Sequence, residues 1–325
     1  MKKILVIGGG GYVGTVLVDK LLSIGYEVFV YDLFIYGNFL KNDRNLKIIS
    51  GDVRDIEKLK KSLKGIDTII HLACISNDPS FELNPLLAKS INFDCFEPLV
   101  DMAIENGISR FIYASSSSVY GIKKEKDVNE SCALEPLTDY SKFKVKCEEI
   151  LINKKQKNFH PIILRPSTVN GYSPRQRLDV VVNIMTNLAY HNKKITVFGG
   201  DQLRPNIYIE DMIRAYLCVL EAPLHLVSGE IFNVGDENLT VNEIALSVKK
   251  IFKENIIIEK SYSEDNRSYH VSSSKIKKQL NFNLNYNVID GIKSLISAFS
   301  TKKIKNTMSD DSYYNLKVIA KTNLL

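Results

Sequence analysis

Positions 4–7 are all apolar and stand between two lysines and a run of four glycines. Such an unbroken run predicts a strand covered on both faces, as in a parallel sheet. Beyond Gly14, Val16, Leu17, Leu21 and Leu22 return at helical spacing, and Gly25 ends that helix. The chain therefore opens as strand, tight glycine turn and helix. Further apolar runs predict strands at 27–31, 46–49, 67–73, 110–114 and 161–165. Helical periods fall between them at 56–63, at 84–106 and from Thr138 onward. Asp55 is placed to cap the helix at 56–63, and Pro98 predicts a kink or break inside 84–106. Residues 122–135, polar and charged, predict a surface loop. This alternation predicts an α/β fold, a Rossmann-type doubly wound parallel sheet.

From about Ser167 the pattern loosens. Helices are predicted at 178–191, 211–221, 241–253 and 288–300, and short strands at 195–198, 207–209 and 231–234. They point to a smaller mixed α/β C-terminal substrate-binding region over the sheet's C-terminal edge. The expected organisation is a dinucleotide-binding domain over 1–170 and a mainly substrate-binding region over 171–300, from which the chain can return to the first domain. Residues 301–325 show no clear period and are expected as a partly ordered tail.

Composition narrows the function classes. The 325 residues carry a net charge of +6, from 43 Lys+Arg against 37 Asp+Glu, with no long basic run. No nucleic-acid partner is expected. Cysteines at 74, 95, 132, 147 and 218 are odd in number, widely spaced and without a CxxC pair. They suggest neither a disulfide framework nor a metal site, and fit a reducing cytoplasm. No apolar run reaches membrane-spanning length, and the chain starts on a strand, so no membrane association is expected.

The glycines carry the first chemistry. A glycine turn between a strand and a helix lets backbone approach a diphosphate, which the helix N-terminus attracts. The string fits GxGxxG from Gly9 to Gly14 and GxxGxxG from Gly8 to Gly14, and both registers stay open. Asp32 ends the second strand 18 residues after Gly14, where a carboxylate accepts from both ribose hydroxyls and repels a 2′-phosphate. NAD is therefore expected over NADP. Asp52, near the end of the third strand, could accept from the adenine amino group. His71, among apolar neighbours, reads as a core histidine.

The serine run at 115–118 follows the fifth strand, at the sheet edge where ligands bind. Tyr140 and Lys144, four apart, share one helix face. A free phenol titrates near ~10. A nearby ammonium lowers that value, so the phenol can take a hydroxyl proton while hydride leaves the same carbon.

Segments GGGGYVG, YDLF, GDVRD, HLA, ASSSSVYG, YSKFK, LRPSTVNGYSP, FGGDQLRPNIYIEDM, FNVGDEN and NRSYHVSSSKI resemble the extended short-chain dehydrogenase/reductase superfamily, in particular its nucleotide-sugar epimerases and dehydratases. The likeness covers about residues 1–300. It implies Tyr140 as base, Lys144 as the ribose-binding residue that tunes it, and Ser116 as the third member, with Ser115 and Ser117 as alternatives. It implies NAD contacts from Gly8, Gly11, Tyr12, Val13, Gly14, Asp32, Asp52, Val53, Leu72 and Ala73 as well as Tyr140 and Lys144. It implies substrate contacts from Ser117, Asn170, Arg177, Arg204 and Arg267, and a homodimer formed through helices near 84–106 and 138–153.

Departures from subfamily patterns sharpen the expectation. Sugar 4,6-dehydratases carry acidic residues where this chain has Ser117 and Ser118, and the cysteine of 3,5-epimerizing relatives is missing. Oxidation at C4 of a nucleotide-diphosphate sugar remains, as in a 4-epimerase or 4-dehydrogenase. Segments SPRQRLD and FGGDQLRPNIYIEDM resemble a surface-polysaccharide subgroup that includes NDP-heptose 4-dehydrogenases. A 4-keto-sugar reductase, a 4,6-dehydratase and a catalytically silent NAD-binding protein are the alternatives.

Overall fold

The computed structural model describes residues 2–76, 78–125, 127–252, 255–262 and 268–322. The expected strands of the first half form β1 (Lys3–Ile7), β2 (Glu27–Asp32), β3 (Leu46–Ser50), β4 (Thr68–His71), β5 (Arg110–Ala114) and β6 (His160–Pro166). Ile4, Leu5, Val6 and Ile7 of β1 are fully buried, as a central strand covered on both faces requires. Later strands are β7 (Thr168–Asn170), β8 (Lys194–Phe198), β9 (Leu203–Tyr208), β10 (Glu230–Val234), β11 (Glu237–Thr240) and β12 (Ile257–Ser261). Seven strands pair in the order β10-β6-β5-β4-β1-β2-β3, all parallel. The order reverses at β1, and at such a switch a crevice opens beyond the carboxyl ends of the strands.

The glycine turn sits at that crevice. Gly8 has φ +88°, and a Cβ on Gly14 would lie 2.4 Å from the Gly8 carbonyl oxygen. The first requires a left-handed backbone and the second a bare Cα, so each position needs glycine. The helix Tyr12–Ser23 leaves the turn with Gly11 at its N-cap and no side chain capping it.

The helical region expected over 84–106, with a kink or break at Pro98, is three pieces, Pro85–Lys89, a π turn over Ser90–Asp94, and Phe96–Glu105, and the break falls at Cys95 instead. Pro98 is the third residue of the last piece, where backbone N–H groups have no intrahelical partner to lose. Asp55 caps Ile56–Ser62 by accepting from the Lys58 N–H, and Thr138 forms a capping box with Ser141 at the start of Asp139–Asn153.

After β6 the chain lays down β7, β8 and β9, returns β10 to the edge of the large sheet, and then adds β11 and β12 to complete two small sheets, β11-β9-β7 and β12-β8. The strand expected at 207–209 is the end of β9, and Ile209 already belongs to the helix Ile209–Glu221. β7, β11 and β12 escape the sequence reading because TVN, ENLT and IIEKS hold too few apolar residues to show a period. Helices Val181–Asn192, Val241–Ile251 and Val288–Ser300 enclose a separate core around Val182, Ile195, Ile244 and Ile292.

Beyond Ser300 the chain folds back rather than trailing away. Its C-terminal helix, Asn315–Lys321, packs on the helix Asp78–Leu83, and Ile319 joins the apolar core of the parallel sheet. Among the described residues no helix is long and apolar enough to cross a membrane, and no cluster of three His, Cys, Asp or Glu side chains could hold a metal ion.

Candidate active site

Two adjoining cavities, of about 310 and 110 Å³, lie along the carboxyl edge of the parallel sheet. They share Gly8, Gly11, Tyr36, Leu72 and Cys74 in their walls. The smaller is walled by Asp32, Asp52, Val53 and Ala73, the larger by Ser116, Tyr140 and Lys144. Residues from distant parts of the chain thus line one groove, with acids at one end and the phenol at the other.

At the acidic end, the Asp32 carboxylate accepts from the N–H groups of Gly10 (2.8 Å) and Phe34 (2.7 Å). Burial raises its pKa although both bonds favour the charged form. Asp52 is already engaged: the Arg54 guanidinium donates from Nη2 at 2.7 Å and from Nε at 3.0 Å, and the Arg54 N–H donates at 2.8 Å. Burial pushes the Asp52 pKa up, but Arg54 outweighs it and the net shift is downward. An adenine amino group would share this carboxylate with Arg54, a partner two residues away that the sequence reading passed over.

At the glycine turn, a Cβ on Gly11 would meet only the Gly8 carbonyl oxygen, at 3.3 Å, and otherwise open space. This bare backbone at an uncapped helix N-terminus fits a diphosphate. The Tyr12 side chain points elsewhere: its hydroxyl donates to the Gly171 carbonyl (2.7 Å) and receives the Asn183 amide (3.1 Å), tying the turn to the second half of the chain. Val13 and Leu72 contribute apolar wall.

At the other end, Ser116 caps a 3₁₀ turn, Ser117–Tyr120, by accepting from the Ser118 N–H (3.1 Å). Its hydroxyl lies 2.9 Å from that of Ser118, and it lines the larger cavity together with Tyr140. The neighbouring Ser115 hydroxyl instead donates to Glu148, and Ser117 lies 2% exposed against the larger cavity. Of the three serines, Ser116 is the one whose hydroxyl favours the Tyr140 phenolate. Burial lifts the Tyr140 pKa well above its ordinary value, and Cys74 and Asp78 push the same way; Arg177 and Ser116 oppose them. Lys144 Nζ donates to the Ala114 carbonyl at 2.7 Å and lies 5.8 Å from the Tyr140 ring centroid.

The arginines divide. Arg177 lines the larger cavity, its Nε donating to Asp179 (2.5 Å) and Nη1 to Ser76 (3.2 Å). Arg204 sits on β9 with Nη1 donating to the Leu203 carbonyl (3.0 Å) and its guanidinium 5.6 Å from the ring of Tyr269, which lines the larger cavity. Arg267 lies outside the described residues. Asn170 does not face the groove. It is fully buried, its amide donating to the Ile207 carbonyl (3.1 Å), with Gly291 packed against it. His71 is a core residue, stacked on Tyr113, and burial drives its pKa down to about 3. Arg175 and Asn315, both on the wall of the larger cavity, were not anticipated.

The family model described as "NAD dependent epimerase/dehydratase family" matches residues 4–235. The chain belongs to that family. Relatives within the NAD-dependent epimerases and dehydratases are similar over most of the chain. An uncharacterized UDP-glucose epimerase, YtcB, of Bacillus subtilis is 31% identical over 324 residues, covering 92% of this chain and 98% of its own. The dTDP-D-glucose 4,6-dehydratase of Homo sapiens is 29% identical over 78% of this chain and 75% of its own. Among solved structures, the UDP-glucose 4-epimerase of Thermotoga maritima with UDP-glucose superposes with a TM-score of 0.83 at 25% identity, covering 92% of this chain and 99% of that one. NAD is the family's cofactor, and the groove from Asp32 past Gly11 to Tyr140 is the place in this epimerase/dehydratase fold that fits it.

Proposed function

We propose that this protein oxidises the C4 hydroxyl of a nucleotide-diphosphate sugar, as a 4-epimerase or a 4-dehydrogenase. The observation that carries the reading is the convergence of Ser116, Tyr140 and Lys144 at the end of the groove opposite Asp32 and Asp52. NAD supplies the hydride acceptor when bound. Ser116 orients the reacting hydroxyl, and Tyr140 takes its proton. Lys144, fixed by the Ala114 carbonyl, holds a cofactor ribose and keeps positive charge beside the phenol. Arg177, Arg204 and Ser117 are the proposed substrate contacts, with the arginines suited to a diphosphate. Asn170 drops out, being buried away from the groove.

A dehydratase reading has one specific support: Asp78, the single carboxylate on the larger cavity's wall among the described residues. The deciding experiment denatures the protein to identify released cofactor, then incubates it with UDP-, GDP-, CDP- and dTDP-sugars and follows products by NMR. The expected product is a C4 epimer or a 4-keto sugar. A 4-keto-6-deoxy sugar would transfer the proposal to the dehydratases. No product from any sugar, with NAD released on denaturation, would overturn it.

The proposed setting is cytoplasmic synthesis of a surface polysaccharide. The proposed assembly is a homodimer through the helices near 84–106 and 138–153, where Leu83 and Leu86 are 47% and 81% exposed. Sedimentation at micromolar concentration is expected to give a dimer, and a monomer would refute it.

A further inference from the structure

Arg175 is 2% exposed and lines the larger cavity, yet its charge lacks a counter-ion in contact. Its guanidinium stacks 3.7 Å over the Tyr36 ring, and Nη2 donates to the neutral Asn315 Oδ1 at 2.6 Å. The buried Nε has no hydrogen-bond partner. The nearby carboxylates are committed elsewhere: Asp179 to Arg177 and the Asn315 N–H, Asp32 to two backbone N–H groups. Burial holds the Arg175 pKa down, to about 10. A buried guanidinium with an idle donor is costly unless an anion completes it. Its stacking partner Tyr36 borders both cavities together with Gly8 and Gly11, so the missing anion belongs beside the glycine turn.

Asn315 is what aims this group. Its amide nitrogen donates to Ser76 (2.9 Å), its backbone N–H to Asp179 (3.0 Å), and its oxygen receives Arg175. It lies 80 residues beyond the last residue of the family match, at the start of the C-terminal helix. We propose that Arg175 binds the diphosphate of the dinucleotide, and that Asn315, delivered by the folded-back C-terminal segment, is its positioning residue. The assignment rests on the NAD site and not on which sugar is turned over.

The test uses the full chain and titrates NADH by fluorescence, with UDP and dTDP titrated in parallel. In Arg175→Met the NADH Kd is expected to rise about 10- to 100-fold, the span of a charged hydrogen bond. UDP and dTDP affinities are expected to stay within about twofold. The melting temperature is expected not to fall, because a waiting cation is removed rather than a paired one. Asn315→Asp gives Arg175 a permanent anion and is expected to weaken NADH about 5- to 10-fold by competition. Arg175→Lys, which keeps the charge and loses the fork, serves if the methionine variant misfolds and is expected to lie between it and wild type. Unchanged NADH affinity in the Arg175 variants overturns the proposal. Loss of UDP or dTDP affinity equal to or larger than the NADH loss moves the diphosphate to the nucleotide sugar and overturns the cofactor assignment. Unchanged NADH affinity in Asn315→Asp, which seats a carboxylate on Arg175, also overturns the diphosphate assignment, and unchanged NADH affinity in Asn315→Ala, which removes the oxygen that receives Arg175, overturns the positioning role.

Discussion

Tyr140→Phe is expected to lower turnover by about 10²- to 10⁴-fold, the usual yield of a positioned acid–base group. NADH affinity is expected to change little, because the ring and its packing remain. The pH profile carries the finer test. Burial lifts the phenol well above its ordinary value, so only a small fraction is phenolate near neutrality and kcat/KM should rise with pH toward the folded pKa. Two neighbours move that limb in opposite directions. Arg177 favours the phenolate, so Arg177→Met should raise the phenol's pKa and shift the limb to higher pH. Asp78 opposes the phenolate, so Asp78→Asn should shift the limb to lower pH. Asparagine still accepts the hydrogen bond that the Thr138 hydroxyl donates to Asp78 at 2.6 Å, so the cap of the tyrosine's helix survives. A wild-type rate flat with pH, or a Tyr140→Phe variant of normal turnover, would remove the phenol from the chemistry.

Much of this site could be read from local pattern. The strand–glycine–helix opening, Asp32 at the end of β2 and the Tyr140/Lys144 spacing are all fixed within a few residues, and the structure places them along one groove. Asn170 shows the limit: it follows β6 closely in sequence, but β7 turns it into the core under Gly291. Partners were the larger loss. The bond from Arg175 to Asn315 spans 140 residues, and the one from Asn315 to Ser76 spans 239. Asn315 also begins a helix of seven residues, too short for an apolar period to reveal. The same blindness affected the phenol. Tyr140 and Lys144 share a helix face, but the Ala114 carbonyl that holds the lysine and the Cys74, Asp78 and Arg177 that act on the phenol lie far from them in sequence.

Directly behind the serine run lies the pair whose loss should cost the most stability. Arg165 and Glu148 are 2% and 3% exposed and joined by Nε at 3.0 Å and Nη2 at 2.6 Å. Glu148 also accepts from Ser115, next to Ser116, and stands one helical turn beyond Lys144. Arg165 Nη1 donates to the Tyr120 hydroxyl at 2.8 Å, which donates on to Asn233 at 2.7 Å. Arg165→Met would leave a buried carboxylate without its cation and is expected to destabilise the fold by about 3–5 kcal/mol. In a chain of this size that is a fall on the order of 10 °C in melting temperature. The reverse single change, Glu148→Met, strands the guanidinium and should cost a similar amount. The double variant removes both charges and their desolvation together, so most of the loss should return. Activity need not return with it, because Ser115 and Tyr120 lose partners that hold the serine strand end. A double variant no more stable than either single would show that the pair acts through its geometry on β5 and β6, and that burial of an unpaired charge is not what the single variants suffer.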